Sequence, residues 1–410
     1  MKVLHIQATM TPAGNAAYRL SSAMREGGID SNVLNLSPCI IRDHSFIYKN
    51  WENNFILNGI DKVARKYRKC GYKKNTYFYT SQPLVGRNIS RYVLVKEADV
   101  IYLHWVAGYF SFKNLNDLAK LGKPIFVFMH DMWPFTGGCH HSMGCLGYTK
   151  DCNHCKMFSF NNKSVSFQLQ KKHQAYSSFS NIHFISPSKW MAECARNSKA
   201  LEGKTVYNIP NIVDEKLFKP LDKAIVRKNL KLPLDKTIIS FGCQAWQNNP
   251  YKGWDFLEKA INKINRDNIL ILIYGSGYNQ ETVDKVKYPI TFMGRINDET
   301  RLAQICNAAD LFVTPSLCEN YSLVILENIL CKTPVVGFNT TGIPELVITG
   351  NTGYLAKFKD VDDLANGIET LIDTKPTFDF CNGYSSRNIV NQHLELINKV
   401  SYGLQKKAEN

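Results

Sequence analysis

The sequence predicts an α/β fold of doubly wound parallel sheets, on three observations. The chain opens as strand, turn, helix and strand within residues 2–36. Short apolar runs of strand length recur along it, each followed by a polar turn. The pattern then restarts with TIISFGC at residues 237–243, after a turn-rich segment. Buried strands alternating with helices are the mark of a parallel sheet covered on both faces. At 410 residues the chain holds two or three domains, each large enough for its own core.

Residues 2–8 read as a buried strand. TPAGNAAYRLSSAMREGG follows as a turn and a helix, stopped by Gly27 and Gly28, and VLNLS resumes as a strand. Ligands of such sheets bind at the carboxyl ends of strands, so Gly14 stands where a backbone would approach a diphosphate closely. An ordinary βα turn is the alternative, because one glycine is not a GxGxxG motif. Residues 52–74 are the most basic segment. Lys62, Arg65, Lys66, Arg68, Lys69, Lys73 and Lys74 stand together with no acid between them, and Phe55, Ile56, Ile60, Val63 and Tyr67 share helical spacing. A basic amphipathic helix reads as a membrane-surface element. Each cation near an anionic surface contributes about 1 kcal/mol there. A helix packed on the sheet with a solvated basic face is the alternative. DVIYLHW (99–105) and PIFVFMH (124–130) are further buried strands, the second ending in His130 at the ligand edge of the sheet.

TGGCHHSMGCLGYTKDCNHCK then places Cys139, Cys145, Cys152 and Cys155 close together, ending in a CxxC pair. Four thiols so grouped suit a tetrahedral structural zinc, with His140, His141 and His154 as substitute ligands. Disulfides and free thiols are the rivals, and a reducing cytosol disfavours disulfides. FISPSKWMAECA (184–195) is a strand, a capped turn and a helix. VYNIPNIVDEKLFKP (206–220) marks the domain boundary by its turn chemistry and by a switch in charge. Residues 1–205 contain 27 Lys and Arg against 12 Asp and Glu, whereas residues 206–410 contain 23 of each. The whole excess of +15 therefore lies in the N-terminal half, which suggests an anionic partner there.

Beyond TIISFGC, the runs ILILIYGSG and ITFMGRI are the next strands, and LFVTPS (311–316) follows. It leads through a polar turn into the helix-like LVILENIL (323–330). The first turn of a helix offers unpaired N–H groups and the positive end of the peptide dipole. Glu319 and Glu327 flank that turn. Carboxylates repel a diphosphate but suit the hydroxyls beside it. The stretch thus reads as phosphate on the backbone amides of Ser322, Leu323 and Val324, with a polyol held by Glu319 and Glu327.

Glu-x7-Glu, followed by TPVVGFNTTGIPELVITGNTGYL, resembles the donor site of glycosyltransferase family 4, which has the GT-B fold. The likeness holds in order and spacing from Thr314 to Leu355, including Pro334, Gly342, Glu345 and Gly353. It implies two Rossmann-like domains facing across a cleft, with the nucleotide-sugar on the C-terminal one and transfer with retention of configuration. The implied domains are 1–205 (acceptor side, with a Cys-rich insert at 137–156), a linker at 206–220, the donor domain at 221–384, and a helix at 385–410 crossing back. His130 would contact the donor sugar near its anomeric carbon, beside Glu319. Lys252, from a Lys-Gly pair, would neutralise the departing diphosphate. The family's arginine after the strand glycine is missing; neutral Gln244 stands in its place, with Arg295 as a substitute. The backbone at Gly294, Arg295 and Ile296 would read the base. No convincing catalytic base is present, which agrees with a front-face mechanism in which the leaving phosphate takes the acceptor proton.

Within the family the likeness is to the exopolysaccharide, O-antigen and colanic acid branch, whose members carry a similar WPFTGGC insert. The implied partners are a nucleoside-diphosphate sugar, a lipid-linked oligosaccharide acceptor and an anionic membrane surface. No cofactor is required for catalysis. A metal-dependent GT-A enzyme would need Asp-x-Asp after a strand; Asp360-Val361-Asp362 opens a late helix and reads as its cap. No nucleic-acid motif accompanies the basic segment. No apolar run reaches the roughly 18 residues of a membrane helix, and MKVLHIQAT starts at once as a strand. The expectation is a cytoplasmic protein, peripheral on the inner face of the cytoplasmic membrane. Two other classes remain open. A GT-B epimerase or phosphorylase would lack a glycan acceptor, and a non-enzymatic anionic-membrane-binding protein would not need Glu319, Glu327 or Lys252.

Overall fold

The computed structural model describes residues 1–10, 15–48, 63, 81, 86, 88–158, 163–244 and 249–409. Gly14 lies outside them, as do Lys62, Arg65, Lys66, Arg68, Lys69, Lys73 and Lys74, with all of the expected basic helix except Val63. Among the described residues the chain folds as two units, one drawn from residues 1–211 together with 387–410, the other from 212–386.

The first unit is built on β1 (Lys2–Gln7), β2 (Asp30–Asn35), β3 (Ser45–Ile47), β4 (Val100–Leu103), β5 (Ile125–Phe128), β6 (Ile182–Ser186) and β7 (Val206–Asn208). They form one sheet in the order β3-β2-β1-β4-β5-β6-β7, and every pairing is parallel. VIYL and IFVF are buried throughout, as expected for strands covered on both faces. The first helix runs Ala16–Glu26. The Asn15 side chain accepts the Tyr18 N–H at its start, and Gly27 closes it. This is the stop that the glycine pair predicts.

The 206–220 segment divides differently from the expectation. Val206–Asn208 hydrogen-bonds to β6 and completes the first sheet. The chain leaves the unit after Asn211 and returns at Arg387, so most of the last helix (Ser386–Glu409) belongs to the N-terminal unit.

The second unit is built on β8 (Thr237–Gly242), β9 (Ile269–Tyr274), β10 (Ile290–Phe292), β11 (Leu311–Thr314), β12 (Val335–Phe338) and β13 (Gly353–Ala356). Its parallel order is β10-β9-β8-β11-β12-β13. All six residues of β9 are buried. Each such side chain contributes about 1.5–3 kcal/mol relative to exposure. Each unit has its own hydrophobic core. The strand order reverses between β8 and β11, the switch point at which open α/β sheets bind ligands. Asp360 caps the helix Val361–Asp373, accepting the N–H groups of Asp362 and Asp363. Among the described residues no helix is long and apolar enough to cross a membrane.

Candidate active site

A cavity with about 270 Å³ of unfilled space opens at that switch point. Its walls come from the ends of β8 (Phe241, Gly242, Cys243) and β11 (Thr314, Ser316), with Lys252, Glu319, Ser322 and Val324. Lys252 and Glu319 meet as an ion pair, Nζ to Oε1 at 2.5 Å, and both side chains are mostly buried. The Ser316 hydroxyl donates to the same carboxylate oxygen at 2.9 Å. Burial alone would lower the Lys252 ammonium, but the Glu319 carboxylate holds it above the ordinary lysine value. The site therefore keeps one fixed positive charge beside one fixed acceptor.

Two close backbone approaches set this geometry. Gly253 follows Lys252 with φ +75°, and a Cβ there would lie 1.9 Å from the Pro315 carbonyl oxygen. Gly342 sits equally close under the Glu319 loop, where a Cβ would lie 1.6 Å from the Asn320 carbonyl oxygen. Its N–H donates to the Glu319 carbonyl at 3.0 Å. The Glu319 N–H donates to the Thr341 hydroxyl at 3.0 Å. Thr341 has φ +51°, an unfavourable region for a β-branched residue. Strain of this kind collects at ligand sites.

The helix Leu323–Leu330 begins at the cavity. Ser322 is its N-cap and makes no side-chain capping bond. Ser322 and Val324 line the cavity, while Leu323 packs on the core. Glu327, one turn further on, is 1% exposed and does not line the cavity. Cys243, rather than Gln244, occupies the wall beside Lys252; Gln244 is exposed. Burial pushes the Cys243 thiol up to about 11. Arg295 is exposed and Ile296 lies in the core. The Gly294 carbonyl accepts the Gly275 N–H at 2.8 Å. The structure thus gathers Lys252, Glu319, Ser322 and Val324, and leaves Gln244, Arg295, Leu323 and Glu327 off the cavity wall. Sequence reasoning missed Ser316, Thr341 and Cys243, though all three lie within or beside the runs it singled out.

In the first unit, His130 follows β5 and is partly buried. Its Nε2 lies 2.7 Å from Nδ1 of His104. Burial lowers His130 to about 4, against the pull of the neighbouring Asp131. Asp131 organises the Cys-rich insert. Its carboxylate accepts from Trp105 Nε1 at 2.8 Å, lies 2.6 Å from His140 Nδ1, and accepts the Trp133 N–H at 2.8 Å.

Cys139, Cys145, Cys152 and Cys155 are all free thiols and line one cavity. Burial pushes Cys139 up to about 12 and Cys152 up to about 11. Lys172, 1% exposed, donates to the carbonyls of Trp133 and Thr136. Burial lowers it to about 7, against the attraction of Cys139 and Asp131. Among the described residues no three His, Cys, Asp or Glu side chains stand in a metal-binding arrangement.

Comparison with known proteins separates fold from sequence. The fold is similar over 100% of the chain to Anabaena Alr3699/HepE, solved in complex with UDP and glucose, with 99% of that chain covered, TM-score 0.58 and 17% identity. It is similar over 96% of the chain to WaaG, a glycosyltransferase involved in lipopolysaccharide biosynthesis, with 99% of that chain covered, TM-score 0.58 and 14% identity. These likenesses show the GT-B fold. In sequence, D-inositol 3-phosphate glycosyltransferase of Mycobacteroides abscessus is 33% identical over 172 residues, 40% of this chain and 38% of that protein. The match therefore spans well under half of the curated relative's length. Residues 235–374, which hold the Lys252–Glu319 cavity, match the family model described as glycosyl transferases group 1.

Proposed function

We propose that the chain is a retaining glycosyltransferase that moves a sugar from a nucleoside-diphosphate donor to a bacterial surface glycan. The observation that carries this reading is the Lys252–Glu319 pair, set in a cavity at a helix N-terminus and at the sheet's switch point. When a donor enters, Lys252 turns from Glu319 to the diphosphate, and Glu319 is freed for sugar hydroxyls. Lys252 and the amides at Ser322 to Val324 stabilise charge on the departing phosphate. The bond from the anomeric carbon to the phosphate oxygen breaks, and a bond to the acceptor oxygen forms. The acceptor proton passes to the leaving phosphate. Glu327 is the ribose partner and His130 the sugar contact.

The inositol phosphate in the relative's name belongs to that protein, since the match covers 40% of this chain. A lipid-linked oligosaccharide acceptor suits a chain whose positive excess lies wholly in its N-terminal half. HepE's complex with UDP makes uracil the first base to try. In a thermal-shift panel of UDP-, GDP-, ADP- and dTDP-sugars, one nucleotide at about a hundred times its Kd should stabilise the protein by about 2.7 kcal/mol. Glu327→Gln should weaken that shift. The absence of any shift, together with no sugar transfer, would remove the donor site and with it the enzyme reading.

The cysteine cavity is proposed as a structural zinc site held by Cys139, Cys145, Cys152 and Cys155, with the buried Lys172 ammonium balancing thiolate charge. The four thiols line one cavity without yet standing in a metal-binding arrangement; zinc binds thiolates and would draw them together. Protein purified under reducing conditions should carry one zinc per chain by elemental analysis, lost in Cys152→Ser/Cys155→Ser. A zinc-free, fully folded wild type would end this proposal.

A further inference from the structure

We propose that His5, His104 and His130 form a hydrogen-bonded file that fixes His130 as its Nδ1–H tautomer. His130 then meets a ligand as a neutral hydrogen-bond donor, and His104 is the positioning residue. The use of that N–H, a bond to a sugar oxygen, rests on the transferase reading; the tautomer does not.

The file crosses three adjacent strands. His5 lies in β1 with no exposed surface, and His104 and His130 follow β4 and β5. His5 Nδ1 is 2.9 Å from His104 Nε2, and His104 Nδ1 is 2.7 Å from His130 Nε2. Phe128 stacks on both outer rings, 5.4 Å from His104 and 4.9 Å from His130. The His104 and His130 rings are themselves stacked at 5.0 Å. Packing therefore holds each imidazole in the orientation that makes these bonds.

A neutral imidazole has one donor nitrogen and one acceptor. Both bonds must then run in the same sense through His104. If they run inward, His130 donates to His104, His104 donates to His5, and His5 is left with its proton on Nε2. If they run outward, His5 and His104 donate from Nδ1, His130 accepts at Nε2, and its own proton sits on Nδ1. The inner end decides between them. His5 Nε2 is buried with no hydrogen-bond partner. The inward sense would strand an N–H there, whereas the outward sense leaves only a lone pair. Buried donors without partners are the rarer and costlier defect. The outward sense follows.

The surroundings keep the file neutral. Burial lowers His5 to about 3, helped by His393 and Arg25. Burial also holds His104 well below the ordinary value, with His130, His5 and His393 adding to it. His393, from the last helix, is lowered to about 3 by burial, and its Nδ1 lies 3.1 Å from the Tyr102 hydroxyl. Asp131 favours a charge on His130, and burial outweighs it. With Nε2 committed to His104, His130 is a poor general base and a good donor. That agrees with a mechanism in which the leaving phosphate takes the acceptor proton.

The test is a long-range 1H–15N correlation on the full chain labelled with 15N-histidine, recorded at about pH 7. His130→Gln assigns the His130 signals. The expected pattern is a single His130 tautomer, protonated at Nδ1 and bare at Nε2. A proton on Nε2, or averaging between the two tautomers, would overturn the proposal. His104→Phe keeps an aromatic ring against Phe128 and removes both bonds. It should release His130 into mixed tautomers, while burial goes on holding its pKa below the ordinary value. An unchanged His130 in a folded His104→Phe would deny His104 its positioning role. Should that variant fail to fold, the wild-type spectrum decides alone. An Nδ1–H tautomer in a protein without transferase activity would sink only the transferase reading, and an Nε2–H tautomer in an active enzyme only the file.

Discussion

Lys252→Met is expected to lower kcat/KM for sugar transfer by about 10²- to 10³-fold, the usual cost of removing one group that stabilises charge developing in a transition state. It should also destabilise the donor unit. Glu319 would be left largely buried with the Ser316 hydroxyl but without its cation. Removing one partner of a buried pair costs about 3 kcal/mol, because the remaining charge goes uncompensated. The two effects separate in the double variant Lys252→Met/Glu319→Gln. The neutral amide still accepts from Ser316, so the melting temperature should recover while transfer does not. If the double variant recovers activity along with stability, the ion pair is scaffolding and Lys252 has no part in the chemistry. If Lys252→Met keeps more than about a third of wild-type kcat/KM, leaving-group stabilisation must come from the helix amides instead.

Much of this site was legible in the sequence, because strand, turn and helix are local patterns. LFVTPS and LVILENIL announced β11 and the helix after it, and Glu319 in the turn between them, with Glu327 in the helix, pointed to a ligand there. The pairing of Lys252 with Glu319 was not legible. The two lie 67 positions apart, and their contact depends on how closely the turn at Gly253 approaches Pro315. Cys243 escaped notice for a related reason. Which residue after Gly242 faces the cavity is set by the backbone of the turn, and composition is silent on that. The histidine file was hidden more deeply. His5, His104 and His130 each stand in or beside an apolar run, where a lone histidine reads as an ordinary core or edge residue. Only the strand order, with β1 beside β4 and β4 beside β5, brings their rings together. Within the 206–220 segment, Val206–Asn208 found an open sheet edge to join, a pairing that local turn chemistry does not announce.

Gly253→Ala should cost about 3 kcal/mol, or a fall of about 8 °C in the melting temperature. It should also abolish the stabilisation by nucleotide-sugar. Gly253 closes the short turn Pro250–Lys252 and opens the helix Trp254–Lys263, with φ +75°. An alanine there carries left-handed strain of about 1–2 kcal/mol. It also places its methyl 1.9 Å from the Pro315 oxygen and 2.7 Å from the Pro315 carbonyl carbon. These are backbone atoms at the end of β11 and cannot rotate away, so the turn itself must retreat. Lys252 would move with it, away from Glu319. The Leu317 N–H, which donates to the Tyr251 carbonyl at 2.7 Å, reports the movement. Its hydrogen exchange should quicken in Gly253→Ala and stay slow in Lys252→Met, which leaves the turn in place. Gly277→Ala is the control, because a Cβ there meets nothing within 4 Å and should change stability by less than about 0.5 kcal/mol. A Gly253→Ala protein that melts like wild type, with Leu317 still protected, would mean that the turn yields without cost. The close approach would then not be what places Lys252.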